Sequence, residues 1–319
     1  MPGVSIKQRL LDIDLVGFIL GSGMWVSFLL ALTMAGGQWP WNDGRTIATF
    51  VVFGLVLGLY SLQQYFSWLT TPARRAYPVH ILGDRTQVLL YIGTSAFITA
   101  LFVCIFFIPL YFQFVQNDTS LTAAIRLLPF VVVTATTSVV SGHFVGRIKA
   151  YALLFLVSSL FLIVGGSLLA VYLTSEAQTS LIYGLTILVA FGCGLSMQKS
   201  YSIAPLTTDP ANVGPALSLQ NVAEIGGQVI ALGISGQIFH SVAIRNLLAA
   251  LAGQGFSRED IMTVLAGAQS SLFAQLDEES RAAAVSAITN SLQLTFILVP
   301  IGGGVMLIAS LCMKWEKLY

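Results

Sequence analysis

Charged side chains are scarce in this sequence: they make up 9% of 319 residues, about a third of their share in an ordinary globular chain. So few charges cannot clothe a water-facing surface, which excludes a soluble globular domain. Cysteine is almost missing as well. Cys104, Cys193 and Cys312 lie far apart inside apolar runs, so they supply neither a disulfide framework nor a metal site, and they read as buried packing residues. Enzyme signatures fail in turn: there is no phosphate-cradling GxxxxGK[ST], no HExxH and no G-x-S-x-G elbow. His80 and Asp84 stand four apart in HILGD, without a companion nucleophile. No enzyme and no cofactor is therefore predicted. Fifteen basic and fourteen acidic residues leave a net charge of +1, which gives no reason to expect a nucleic-acid partner.

What the chain has is grease. Hydrophobic residues form 56% of it and its mean hydropathy is +0.83. A bilayer core about 30 Å thick needs about 20 apolar residues per helix. Eight runs qualify: 15–35, 46–68, 88–112, 123–145, 151–173, 180–197, 216–239 and 292–313. The predicted fold is all-α, a polytopic membrane protein of eight transmembrane helices whose first partner is the lipid bilayer. GGQWPWNDG, TPARRAYP and TTDPANVGP punctuate the spans with turn chemistry. The N-terminal MPGVSIKQRLLDIDL is charged and shows no small-residue cleavage site, so the first span is expected to stay in the mature chain.

Lysine and arginine set the orientation, because translocating them is disfavoured. With both termini inside, the inner segments hold Lys7, Arg9, Arg74, Arg75, Arg85, Arg147, Lys149, Lys199, Lys314 and Lys317, against five basic residues outside. This arrangement puts the sequon Asn117-Asp118-Thr119 outside, making Asn117 a glycosylation candidate. Residues 240–290 read as an external loop of two or three short amphipathic helices, with Ser257 and Asp260 as a capping pair. Gly17 and Gly21, Gly54 and Gly58, and Gly142 and Gly146 have the spacing that lets helices approach closely in lipid. Pro300, followed by Gly302, Gly303 and Gly304, permits a bend in the last span.

Polar residues inside the grease are the functional candidates. Glu224 lies about 13 to 14 Å along the seventh span, near the bilayer midplane. Inserting an ionised acid there costs around 2.5 to 3.5 kcal/mol. Gln220, Glu224 and Gln228 repeat at i, i+4 and i+8, with Asn221 adjacent, so this face must look at protein or water. Desolvation favours the protonated form of the acid. Glu224 could then take up and release a proton as its surroundings alternate between wet and dry; the alternative is a permanently protonated structural acid. Gln198 and Lys199 close the sixth span, where a lysine snorkels to the surface by default. Arg126 sits one turn inside the outer end of the fourth span, to snorkel or to face a cavity. Gln113 follows the aromatic run FIPLYFQFVQ, an interfacial belt first and a substrate surface second.

Taken in order, GGQWPWNDGRTI, YPVHILGDRT, LLYIGTS, FIPLYFQFVQ, AAIRLLPF, AEIGGQ and MKWEKLY make the chain resemble the fungal fourteen-span drug:proton antiporters of the major facilitator superfamily. The resemblance implies two linker-type helices in residues 1–87 and a six-helix C-terminal transporter half in residues 88–319. It also implies export of a toxin, secondary metabolite or drug in exchange for protons. The plasma membrane is the expected location, with the vacuole or another internal membrane as the alternative. By position, Arg126 fills the arginine of the family's RLLP segment and Gln198 a glutamine at the end of the corresponding helix. Arg147 keeps the basic residue of the inner-loop motif, a gating candidate, while Lys149 replaces the usual glycine. Glu224 stands where relatives more often carry glutamine, so its proton role is local to this chain. The sequence does not contain the family's N-terminal half, so it is either a truncated half of a transporter or a chain that pairs with another; the expected partners are a small-molecule substrate and protons, and in the second case a separate N-terminal half or second copy. The competing expectations are a non-transporting remnant or assembly partner, and a membrane receptor or scaffold.

Overall fold

The computed structural model describes residues 14–36, 38–71, 74–144, 151–252, 256–265 and 276–315. These residues form helices and connecting turns, with no strand beyond an isolated bridge between Ala35 and Trp39. The helices are α1 (Leu15–Met34), α2 (Gly44–Phe66), α3 (Arg85–Val115), α4 (Ser120–Arg126), α5 (Leu128–Phe144) and α6 (Ala152–Tyr172). They continue with α7 (Thr179–Ser196), α8 (Lys199–Ile203), α9 (Val213–Ala250), α10 (Arg258–Leu265), α11 (Glu278–Phe296) and α12 (Leu298–Cys312). By length and apolarity they supply eight membrane spans, the fourth, sixth and eighth each assembled from consecutive helices.

Aspartate or threonine starts several of these helices. Asp14 accepts from the Gly17 amide, Asp43 from Arg45, Asp84 from Thr86 and Thr119 from Thr122, each satisfying one of the orphan donors at a helix start. Ser257 and Asp260 bond reciprocally before α10, the pair read from the sequence. Two spans break just ahead of a proline. The fourth is interrupted at Leu127, before Pro129, and the eighth at Ile297, before Pro300. A pyrrolidine ring cannot donate to the carbonyl four residues back and pushes that carbonyl aside, so the helix opens on the N-terminal side of the proline.

The body packs α3 against α9 and α12, α6 against α7 and α12, α5 against α7, and α9 against α11. Its centre holds fully buried Phe112, Phe130, Phe155 and Phe296, with the Tyr111 hydroxyl donating to the Thr174 carbonyl at 2.8 Å. Lipid is as apolar as these side chains, so close van der Waals contact, rather than escape from water, holds the helices together. Glycines permit it. A Cβ on Gly194 would stand 2.6 Å from the Thr134 carbonyl oxygen, on Gly302 2.8 Å from that of Ala96, and on Gly303 2.9 Å from the Ile163 nitrogen. The expected glycine pairs fare unevenly. Gly17 and Gly21 do face α2, but Gly54 and Gly58 have open space, and Gly146 lies outside the described residues. The α2 face carrying Leu55, Leu59 and Val51 is exposed, as a lipid-facing surface must be.

α1 and α2 pair with each other and reach the body through α1 on α9. Trp25 lies on Gly226, Leu32 on Gly233, and the Gln237 amide donates to the Ala35 carbonyl at 2.7 Å.

Three expectations are corrected. Residues 240–290, read as short amphipathic helices of an external loop, do hold helix, but His240–Ala250 continue α9 and the stretch up to Asn290 includes the first two-thirds of α11, so two of the helices are longer than expected. Cys312 is exposed, while Cys104 and Cys193 are buried. Lys199 does not snorkel: it is 3% exposed, and its ammonium donates to the Ser138 carbonyl at 3.1 Å. Gln198, just before it, adopts φ 62°, ψ 0°, a left-handed conformation rare outside glycine. Met197, at φ −55°, ψ 129°, ends α7, and Gln198 after it turns the chain into α8 with Lys199 against α5.

Candidate functional site

Glu224 is half-buried, and its carboxylate accepts the Tyr201 hydroxyl at 2.6 Å. The same hydroxyl lies 2.9 Å from the Asn221 side-chain oxygen. Tyr201 belongs to α8, the short helix set at its angle by the left-handed Gln198, so the backbone irregularity and the intramembrane acid share one place. An acid deep in an apolar span thus meets a polar neighbour on the adjoining helix, the condition under which its insertion is tolerable.

Four residues earlier on α9, Gln220 is completely buried against α3 and accepts the Thr94 hydroxyl at 3.0 Å. Its amide nitrogen has no partner among the described residues. Leaving such a donor unbonded costs about 1–3 kcal/mol. Close by, the Ser95 hydroxyl donates to the Ala223 carbonyl at 3.1 Å, and Gly227 lets the α3 backbone approach. The expected polar face of α9 is therefore divided: Gln220 seals the contact with α3, while Asn221 and Glu224 turn to α8. Gln228 is half-buried one turn further on, and Gln198 is exposed one turn before Tyr201.

The remaining candidates are elsewhere. Gln113 is half-buried near the C-terminal end of α3, about 28 Å from Thr94 at the helical rise of 1.5 Å per residue. Arg126 is paired with Asp118 and stacks over the Phe112 ring at 5.0 Å, a latch on the turn between α3 and α4. Asn117, at φ 54°, is in that turn, beside the Thr119 that caps α4. Arg147 and Lys149 lie outside the described residues.

Sequence reasoning missed Tyr201 and Asp14. Asp14, 4% exposed, accepts from the Gln63 amide at 3.1 Å, the Gln64 amide at 2.8 Å and the Ala76 backbone at 3.1 Å, besides capping α1. An aspartate opening an apolar run and a Gln-Gln pair closing the next were the available signals. Their partnership across about fifty residues was not.

Along its sequence the chain is similar to the efflux pump patC of Aspergillus clavatus, 34% identical over 315 residues that make up 99% of this chain and 57% of the relative. It is similar to the MFS-type transporter pgmG of Aspergillus terreus, 33% identical over 100% of this chain and 56% of the relative. A phomenoic acid biosynthesis cluster MFS-type transporter of Leptosphaeria maculans is 30% identical over 99% of this chain and 53% of its own length. The chain thus spans about half the length of the curated relatives it matches. No protein-family model matches it. Among solved structures, a bacterial homologue of the human lysosomal transporter Spinster, inward-facing and occupied, superposes with a TM-score of 0.55 at 16% identity, over 85% of this chain and 58% of that one. That likeness is one of fold. The sequence relatives are transporters rather than enzymes.

Proposed function

Because this chain is related along almost its whole length to part of the fungal transporters of the major facilitator superfamily, we propose that it works as the C-terminal portion of a proton-coupled efflux transporter. Its cargo is a small metabolite, drug or toxin, and its membrane is the plasma membrane. Residues 1–87 form the linker pair and 88–319 the transporter half, a division supported by the separate pairing of α1 with α2. A second half completes the path, since transporters of this type rock two halves about a midplane site.

The observation that carries the proton role is the 2.6 Å bond from Tyr201 to Glu224 beside the helix break. As a carboxylate, Glu224 accepts a hydrogen bond from the Tyr201 hydroxyl and holds α8 to α9. Once protonated it loses about half of that attraction, because a charge-assisted bond is roughly twice as strong as a neutral one. Proton binding then loosens the contact between the sixth and seventh spans, and release tightens it. Asn221, Gln228 and Gln198 offer hydrogen bonds to cargo, while Gln220, sealed against α3, holds the helix pair beneath them. Gln113 and Arg126 serve the outer mouth, Arg147 the inner loop, and Asn117 carries the glycan.

The half-length match also supports a second reading, a non-transporting assembly partner. Proteoliposomes with an imposed pH gradient separate the two. Dye movement that follows the gradient, with the chain alone or with a co-reconstituted N-terminal half, supports the transporter. No movement in either preparation leaves the assembly partner standing.

A further inference from the structure

A cavity of about 380 Å³ lies among α1, α2, α3, α9 and the segment before α3. Trp25, Tyr60, Tyr65, Tyr77, Tyr91 and Val222 form its walls. Val222 is two residues from Glu224, about 200° around the helix, so the cavity opens on the opposite face of α9 from the Tyr201 cluster. We propose that it binds a small, planar, mostly apolar ring compound carrying a hydroxyl group, which enters sideways from the bilayer.

Three observations support this. First, the cavity is held open. Trp25 is seated on Gly226, where a Cβ would stand 3.0 Å from the indole, and Tyr60 is seated on Gly21 at 3.4 Å. At one end Asp14 ties Gln63, Gln64 and the Ala76 amide together, so α1 and α2 cannot slide to fill the space. Second, its chemistry is lopsided. Five aromatic rings give flat apolar faces, which favour stacked or edge-on ring contacts. The Tyr60 hydroxyl makes no hydrogen bond among the described residues, and so offers one donor and its lone pairs to an incoming hydroxyl. Gln64 marks the polar end: its amide donates to Asp14 and its oxygen accepts the Tyr77 backbone at 2.7 Å. Third, the volume falls in the range of small-molecule sites, about 300–1,000 Å³. The same chemistry describes a membrane sterol and a ring-bearing export cargo.

The test needs no transport assay, so its failure is distinct from failure of the efflux reading. The purified chain in phosphatidylcholine nanodiscs is labelled with a diazirine-bearing sterol, and the adducts are mapped. Saturable labelling at Tyr60, Tyr65 or Tyr91 is expected, weakened about tenfold by Val222→Trp. Ser61→Phe fills the cavity from the other side and serves if the first variant fails to fold. Competition by 1-naphthol assigns the cavity to planar phenols of cargo type, and absence of competition assigns it to the sterol; both outcomes uphold the site. Labelling that does not saturate, or that is unchanged in a folded filled variant, overturns it.

Discussion

The Lys199 ammonium is buried against α5 with the Ser138 carbonyl as its hydrogen-bond acceptor, and Gly142, whose missing side chain would stand 3.7 Å from the nitrogen, gives it room. One backbone carbonyl compensates poorly for taking a charge out of water. Lys199→Met keeps the length of the side chain and removes the charge. The variant is expected to be more stable than the parent, by about 1 kcal/mol or more, in thermal unfolding in detergent. A lower midpoint would mean that the ammonium holds α5 to α8 more firmly than its single bond suggests.

Glu224→Gln retains a hydrogen-bonding side chain but can no longer release a proton. Export by the assembled transporter should lose its dependence on the pH gradient, while binding of cargo survives. Tyr201→Phe removes one charge-assisted donor, worth about 1.5–3 kcal/mol, and should slow gradient-driven export by about tenfold or more. Unaltered pH profiles in both variants would assign Glu224 a purely structural role.

Asp14→Ala strips the acceptor from the Gln63 and Gln64 amides and the Ala76 backbone, and the cap from α1. Several buried donors are orphaned at once, at about 1–3 kcal/mol for each left unsatisfied. The expected result is a loss of about 3 kcal/mol, read as a lowered unfolding midpoint, with protease sensitivity appearing in the segment after α2. Asp14→Asn should fall between, because it keeps one acceptor oxygen.

Asp43, in the turn before α2, is held down to about 2 by its hydrogen bond and ion pair with Arg45, whose guanidinium also lies 5.1 Å over the Trp39 ring. A carboxyl lowered in the folded state stabilises above its unfolded value, near 3.8, and that contribution disappears as pH falls through about 2. Carboxyl-resolved titration should find the Asp43 midpoint near 2, rising to the ordinary range in Arg45→Ala. A normal midpoint in the parent would show the pair to be open in solution.

Much of the architecture was legible from apolar run length alone, since about 20 residues of grease have few fates other than crossing a bilayer. Legibility stopped where helices leave the lipid. Residues 240–250 read as part of a short amphipathic helix apart from the span, although Phe239, Ala243, Ile244 and Leu247 are buried at helical spacing and their period could have shown that α9 continues. Glu224 was visible because an acid in a span is conspicuous. Its partner was not, for tyrosine is at home in membranes, and nothing near Gln198 announces a break: no proline or glycine occupies that position. Lys199 was misread for the same reason, since an unbroken helix would have carried it to the surface. The Asp14 knot joins residues 14, 63, 64 and 76, a closure that local pattern cannot express.

α9 runs unbroken for 38 residues, about 57 Å, nearly twice the thickness of the hydrocarbon it crosses. Beyond that thickness it is braced by α11, where the Asn246 amide reaches the Ala287 carbonyl and the Ser291 hydroxyl, each at 3.5 Å. The pair behaves as a mast stepped in the membrane: any lean at the level of Glu224 is magnified at its head, above the headgroups. A dye or antibody fragment attached near Ala250 would therefore register the stroke of the submerged machinery from the water side, without disturbing the helix contacts below.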